Sequence, residues 1–137
     1  MVESLFCAND KLSNSTIVSY GDILYEEQVL QALLKSKAPI SVVVDSQWKD
    51  YWKKRFVDPL DDAETLRLDE NGRILDIGQK PDKLEEIQGQ YIGLMTFRNE
   101  GLQALKDIYE LEKDAFNKNL SLICNERNLD ELYMTDL

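Results

Sequence analysis

An open α/β fold with mainly parallel strands is what this sequence predicts, and three observations carry the prediction. Two β-branched runs, Ser15–Tyr20 and Pro39–Asp45, flank an amphipathic stretch, giving strand, helix and strand within about thirty residues. Such a unit favours parallel strands joined by a right-handed crossover. Each run closes on an aspartate: Asp22 lies just past the first and Asp45 ends the second. Neighbouring parallel strands deliver both carboxylates to one rim of the sheet, the rim where open α/β sheets bind ligands. Length adds the third observation, because 137 residues fit one domain able to bury a core.

The elements follow in order. Leu5, Ala8 and Leu12 stand near helical spacing beside Phe6, predicting a short helix that ends before the Ser13-Asn14-Ser15 break. Ser15–Tyr20 reads as a short buried strand. Val29, Leu30, Leu33 and Leu34 then form one apolar stripe, with Lys35 and Lys37 suited to a helix carboxyl end and Pro39 as its stop. Pro39–Asp45 is the second buried strand. Trp48, Tyr51, Trp52 and Arg55 share one face of a following helix. Two short strand-like runs around Asn71-Gly72 predict a hairpin, with Leu66 and Leu68 on one face and Leu75 with Ile77 on the other strand. Gly89–Phe97 is a third, longer strand. Asn99 is placed to cap a helix whose apolar positions are Leu102, Leu105, Ile108, Tyr109 and Phe116. The tail, 119–137, reads as two short helical pieces.

Composition excludes whole classes of chemistry. The chain has no histidine, which removes imidazole acid–base catalysis, Ser–His and Cys–His pairs and His-based zinc sites. A net charge of −10 speaks against nucleic-acid binding, and no apolar run is long enough to span a bilayer. Cys7 and Cys124 form no CxxC pair and no export signal opens the chain, so reduced thiols in the cytoplasm are expected. Carboxylates, lysine, arginine and a hard metal remain as tools. Lys49, Lys53, Lys54 and Arg55 form a short basic cluster, enough for a local anion or interface patch.

Several segments taken together resemble a known family. "IVSYGDILYEEQVLQALLKS", "ISVVVDSQW" and "LDENGRILDIGQKP…GQYIGLMTF" are similar to the nucleotidyltransferases that join a nucleoside triphosphate to a sugar phosphate or phosphocholine. The resemblance runs through nearly the whole chain and rests on an order: Gly-Asp after a strand, a second strand ending in Asp, an Asn-Gly hairpin, Lys-Pro, then Tyr-Ile-Gly. It implies a three-layer, Rossmann-like fold, magnesium, and nucleotidyl transfer, cytidylyl in the first instance, to phosphocholine, aminoethylphosphonate or a sugar phosphate with release of pyrophosphate. The family opens with a strand and a GxGxR loop that holds the triphosphate, and it ends on a strand with a second metal aspartate. Gly21, Gly72, Gly78, Gly89, Gly93 and Gly101 form no such loop. The expectation is therefore one partial domain, 1–137, incomplete at both ends and inactive alone.

The resemblance assigns roles to named positions. Asp22 becomes the magnesium carboxylate, although the residues alone leave equal room for Asp22 to be the cap of a helix beginning at 23 or 26. Lys80, before Pro81, matches the lysine that contacts the acceptor phosphate; a solvated turn lysine is the alternative. Asp45, Trp48 and Trp52 offer charge and aromatic faces to a quaternary ammonium, or else the tryptophans pack on the sheet. Gln90, Tyr91 and Gly93 match a Glu-Tyr-x-Gly segment in which the acid binds acceptor groups and the glycine admits the substrate. Gln90 replaces that acid, and Gly93 alternatively marks a strand bulge. Cys124 and Asp136 read as structural. Two rival functions stand beside the enzyme: a binding or regulatory module that kept the fold without the chemistry, and a scaffold that self-associates through an exposed sheet edge and apolar face.

Overall fold

The structure, a computed structural model, describes residues 2–111, apart from the Glu3 side chain, and the backbone of 132–136. Helix α1 (Val2–Phe6) and a 3-10 turn (Asn9–Lys11) precede strand β1 (Ser15–Ser19). Then come α2 (Glu27–Lys35), β2 (Ile40–Asp45), α3 (Trp48–Arg55), β3 (Leu66–Leu68), β4 (Ile74–Ile77), β5 (Gln90–Arg98), α4 (Glu100–Leu111) and β6 (Leu132–Asp136). Leu132–Asp136, within the tail read as helical, is a strand; Phe116 and Cys124 lie outside the described residues.

The main sheet has the order β1-β5-β2-β6. Both β1 and β2 pair antiparallel with β5, and β2 pairs parallel with β6, so three of the four strands run one way. The two runs that predicted a parallel pair do run in the same direction, but β5 lies between them. They are not neighbours. Local pattern fixes the direction of a crossover and leaves open which later strand fills the gap.

Alternation along β2 and β5 separates two cores. Ile40, Val42, Val44, Met95 and Phe97 face α1 and α4, whose Leu102, Leu105 and Ile108 are buried with them. Val43 and Leu94 face Val29 and Leu33 of α2. Helices thus cover both faces, the three-layer arrangement expected. Each fully buried aliphatic contributes about 1.5–3 kcal/mol to holding the layers together. Gly101 shows how closely α4 approaches β2: a Cβ there would lie 2.2 Å from the Pro39 carbonyl oxygen. Asn99 enters α4 at φ 42°, a left-handed backbone that asparagine tolerates.

β1 departs from its expectation. It is an edge strand, with Ser15, Ile17 and Ser19 exposed and Thr16 and Val18 half-buried, where a buried strand was expected. β3 and β4 form the expected hairpin as a separate two-stranded sheet, closed by Asp69, whose Oδ1 accepts from the Asn71 and Arg73 amides at 2.8 and 2.9 Å. These bonds hold its carboxyl below the usual aspartate range. A register shift at Arg67/Leu68 breaks the two-residue period, so Ile74 and Ile77 turn inward and Leu75 is exposed, unlike the expected Leu75–Ile77 face.

Candidate functional site

The site is read from the rim where β1 and β2 end and β5 begins. Register fixes its width: Ser19 stands opposite Leu94, the Tyr20 amide donates to the Gly93 carbonyl at 2.8 Å, and Asp45 stands opposite Gln90. Asp22 and Asp45 are therefore at the same rim, one strand apart. β6 ends there too, with Asp136 next to Val44 in register to its side.

Asp22 lies in a turn just after β1 and is exposed. It caps no helix, because α2 begins at Glu27 with Glu26 as its preceding residue. That removes the capping alternative and leaves a carboxylate open to solvent at the carboxyl edge of β1. Asp45 is half-buried, and its Oδ1 accepts from the Gln47 amide at 2.7 Å, turning the chain into α3. No group of three or more acidic or thiol side chains suited to a metal is found among the described residues. A lone carboxylate fits a magnesium ion that keeps most of its waters and takes further ligands from substrate phosphates; it does not fit a protein-enclosed metal.

Gly93 occupies a bulge. Between Val42 and Val44 the β2–β5 register advances four residues on β5, and Gly93 has φ +90°. A Cβ there would lie 2.4 Å from Cδ2 and 2.5 Å from Cγ of Tyr20. The close approach that glycine allows is therefore made by a tyrosine ring, and the space above its Cα is not open to substrate. Tyr20 in turn meets Tyr91 edge-on, with ring centroids 5.7 Å apart. Burial raises the pKa of both phenols, with Glu64 and Asp22 adding to the rise at Tyr20, and Tyr20 and Glu64 to that at Tyr91. Both stay protonated at neutral pH, and the buried Tyr91 hydroxyl has no hydrogen-bond partner among the described residues. Tyr20 and Glu64 were not singled out by sequence; a tyrosine before Gly-Asp carries no signal until the ring is seen on the glycine.

Gln90 is 5 % exposed, and its side chain is wholly occupied by backbone. Nε2 donates to the Glu64 carbonyl at 2.7 Å and the Gly89 carbonyl at 3.0 Å; Oε1 accepts from the Glu64 amide at 3.2 Å. The expected acceptor-binding role does not fit a side chain with both amide hydrogens already bonded. Trp48, 3 % exposed, packs with Ala63 and Ile87, so neither of its faces is open to an ammonium group. It is a core residue, for the packing reason weighed beside its ligand role. Trp52 is half-buried, meets Trp48 edge-on at 6.0 Å, and lies 6.0 Å from the Arg55 guanidinium, which also sits 5.3 Å from the Tyr51 and Phe56 rings. A cation of the protein's own thus stands at those aromatic faces.

Lys80 is exposed, with its ammonium donating to the Leu60 carbonyl and, at 2.8 Å, to the Asp61 carbonyl. Both carbonyls belong to the segment that leads into Glu64, the residue Gln90 holds. A cavity of about 730 Å³ runs between α1 and β1, walled by Leu5, Leu12, Val18 and Met95, with Tyr20 and Asp22 at one end. Lys80, Asp45 and Gln90 are outside its lining. The cavity therefore meets the rim at Asp22 and Tyr91 without enclosing the other candidates.

No family model matches the chain. It is 37 % identical, over an alignment 142 positions long, to a CTP:phosphoglutamine cytidylyltransferase of Campylobacter jejuni, an alignment covering 98 % of this chain and 53 % of that protein. The chain thus spans about half the length of this curated relative. Its fold matches a crystal structure from Bacillus anthracis, described as a putative glucose-1-phosphate thymidylyltransferase in complex with a sucrose, with a TM-score of 0.68 at 17 % identity. That match covers 100 % of this chain and 52 % of the other.

Proposed function

Since the chain is related in sequence to a cytidylyltransferase and shares the nucleotidyltransferase fold, we propose that it forms the acceptor side of an enzyme transferring a cytidylyl group from CTP to a phosphorylated small molecule. Exposure of Asp22 at the carboxyl-end rim, free of any capping duty, is the observation that carries this reading. Asp22 holds a divalent metal, magnesium, which when bound neutralises the triphosphate. Lys80 offers its ammonium to the acceptor phosphate, exchanging a backbone carbonyl for a charged oxygen. Placement and charge neutralisation are most of what nucleotidyl transfer needs from protein. The acceptor class is a phosphorylated amine or amino acid, in keeping with the relative's phosphoglutamine; the protein works in the cytoplasm. Among the described residues no helix is long and apolar enough to cross a membrane.

The test is pyrophosphate release from CTP with phosphoglutamine, phosphocholine and glucose 1-phosphate as acceptors, using the polypeptide in which this sequence occurs. Asp22→Asn is expected to lower kcat/KM by about 100-fold or more, the order seen when a charge-stabilising group is removed. The 137 residues alone, lacking a phosphate-cradling glycine loop, are expected to release none above a blank. Release by the Asp22→Asn protein at the parent rate overturns the metal assignment.

A further inference from the structure

Gln90 and Thr65 are buried polar residues, 5 % and 6 % exposed, far apart in sequence and one hydrogen-bonded step apart in space. Gln90 clamps Glu64 through both backbone groups, at 3.2 and 2.7 Å. The next residue, Thr65, grips the strand leading to Lys80 by three bonds. Its amide donates to the Gln79 carbonyl at 2.8 Å, its carbonyl accepts from the Gly78 amide at 3.0 Å, and its Oγ1 accepts from the Gln79 amide at 3.0 Å. Lys80 follows at once, tied to the Leu60 and Asp61 carbonyls, and Pro81 behind it is buried.

The contacts run without a gap from β5 to the lysine. We propose that Gln90 and Thr65 are positioning residues for Lys80: a relay from Gln90 through the Glu64–Thr65 backbone to Gln79 sets where the lysine ammonium stands against an anionic phosphate. The relay starts from a residue registered to the main sheet, since Gln90 stands opposite Asp45. The relay needs an amide. A carboxylate at position 90 would accept from the Glu64 amide but face the Glu64 carbonyl without a hydrogen to donate. Lys80 is exposed and lies three residues past the end of β4, where no strand pairing fixes it. Here its backbone is fixed by buried bonds, whose loss is costly because the partners stay away from water.

The phosphate contact of Lys80 rests on the proposed function; the relay itself does not, and the experiment separates the two. Amide hydrogen exchange is followed by NMR at Gly78 and Gln79, with Val43 in β2 as internal reference, in the 137-residue chain and in Gln90→Met, Thr65→Val and Thr65→Ser. Exchange at Gln79 relative to Val43 is expected to rise roughly tenfold or more in Gln90→Met and Thr65→Val, and to stay near the parent value in Thr65→Ser. Lys80 side-chain resonances are titrated in parallel with inorganic phosphate and with phosphocholine. Apparent affinity is expected to fall several-fold in the first two variants and to be restored in Thr65→Ser. Unchanged relative exchange in both Gln90→Met and Thr65→Val overturns the relay. Unchanged phosphate affinity despite faster exchange overturns the positioning role. A parent chain whose Lys80 ignores both anions, with the exchange result as expected, overturns the phosphate role of the lysine and leaves the relay standing. Should one variant unfold, shown by Val43 losing protection, the other carries the test.

Discussion

Replacing Gly93 by alanine tests the hold between β1 and β5 that ends at Asp22. The added Cβ would lie 2.4 Å from the Tyr20 ring and 3.0 Å from the Tyr20 Cβ, so turning the ring away relieves only part of the overlap. Backbone at φ +90° costs a residue with a side chain about 1–2 kcal/mol. Moving Tyr20 forfeits its edge-on contact with Tyr91, about 0.5–1.5 kcal/mol more. The sum is about 1.5–3.5 kcal/mol, or at about 4 °C per kcal/mol for a domain of this size a fall in Tm near 6–14 °C. Thermal unfolding by circular dichroism measures it, in Gly93→Ala, Tyr20→Ala and the double variant. With the ring already removed, Gly93→Ala should cost only its backbone share, about 1–2 kcal/mol, the shortfall being the coupling between the two residues. A Gly93→Ala protein within about 0.5 kcal/mol of the parent refutes the reasoning. So does a cost undiminished by Tyr20→Ala.

Trp48→Ala should cost about 3–5 kcal/mol, as for a large aromatic taken from a packed core, whereas the exposed Tyr51→Ala should stay within about 0.5 kcal/mol; denaturant titration compares them. Choline should leave the fluorescence of Trp48 unchanged in a Trp52→Phe background, and a saturable change there would restore Trp48 as a ligand contact. Tyr20 and Tyr91 should titrate above the ordinary phenol value of 10.0 in phenolate absorbance. Their folded pKa values exceed the unfolded one, so their contribution is intact below pH 10.0 and stability falls as pH rises through that value. Two tyrosines ionising normally in the folded chain would contradict this.

Much of the architecture was legible because it is local. β-branched runs, the Val29–Leu33 stripe and the Asn71-Gly72 turn each report their own backbone, and the direction of β1 and β2 follows from the crossover between them. The aspartates at both strand ends were readable for the same reason. The environments of the candidate residues were not. Whether Trp48 is a ligand or a core residue depends on Ala63 and Ile87, and whether Gln90 meets a substrate or a loop depends on Glu64, twenty-six residues away.

By itself, the sequence determined the types of the main helices and strands up to Leu111, though not the strand at Leu132–Asp136, together with the common direction of two strands and the absence of histidine chemistry, since each is a property of a short window or of composition. Tertiary structure alone decided that β5 separates those strands, that a tyrosine ring covers Gly93, and that a buried amide anchors the loop of Lys80. Strand order and side-chain surroundings are set by hydrogen bonds and packing between residues distant along the chain, and no local period records which partner fills a given space.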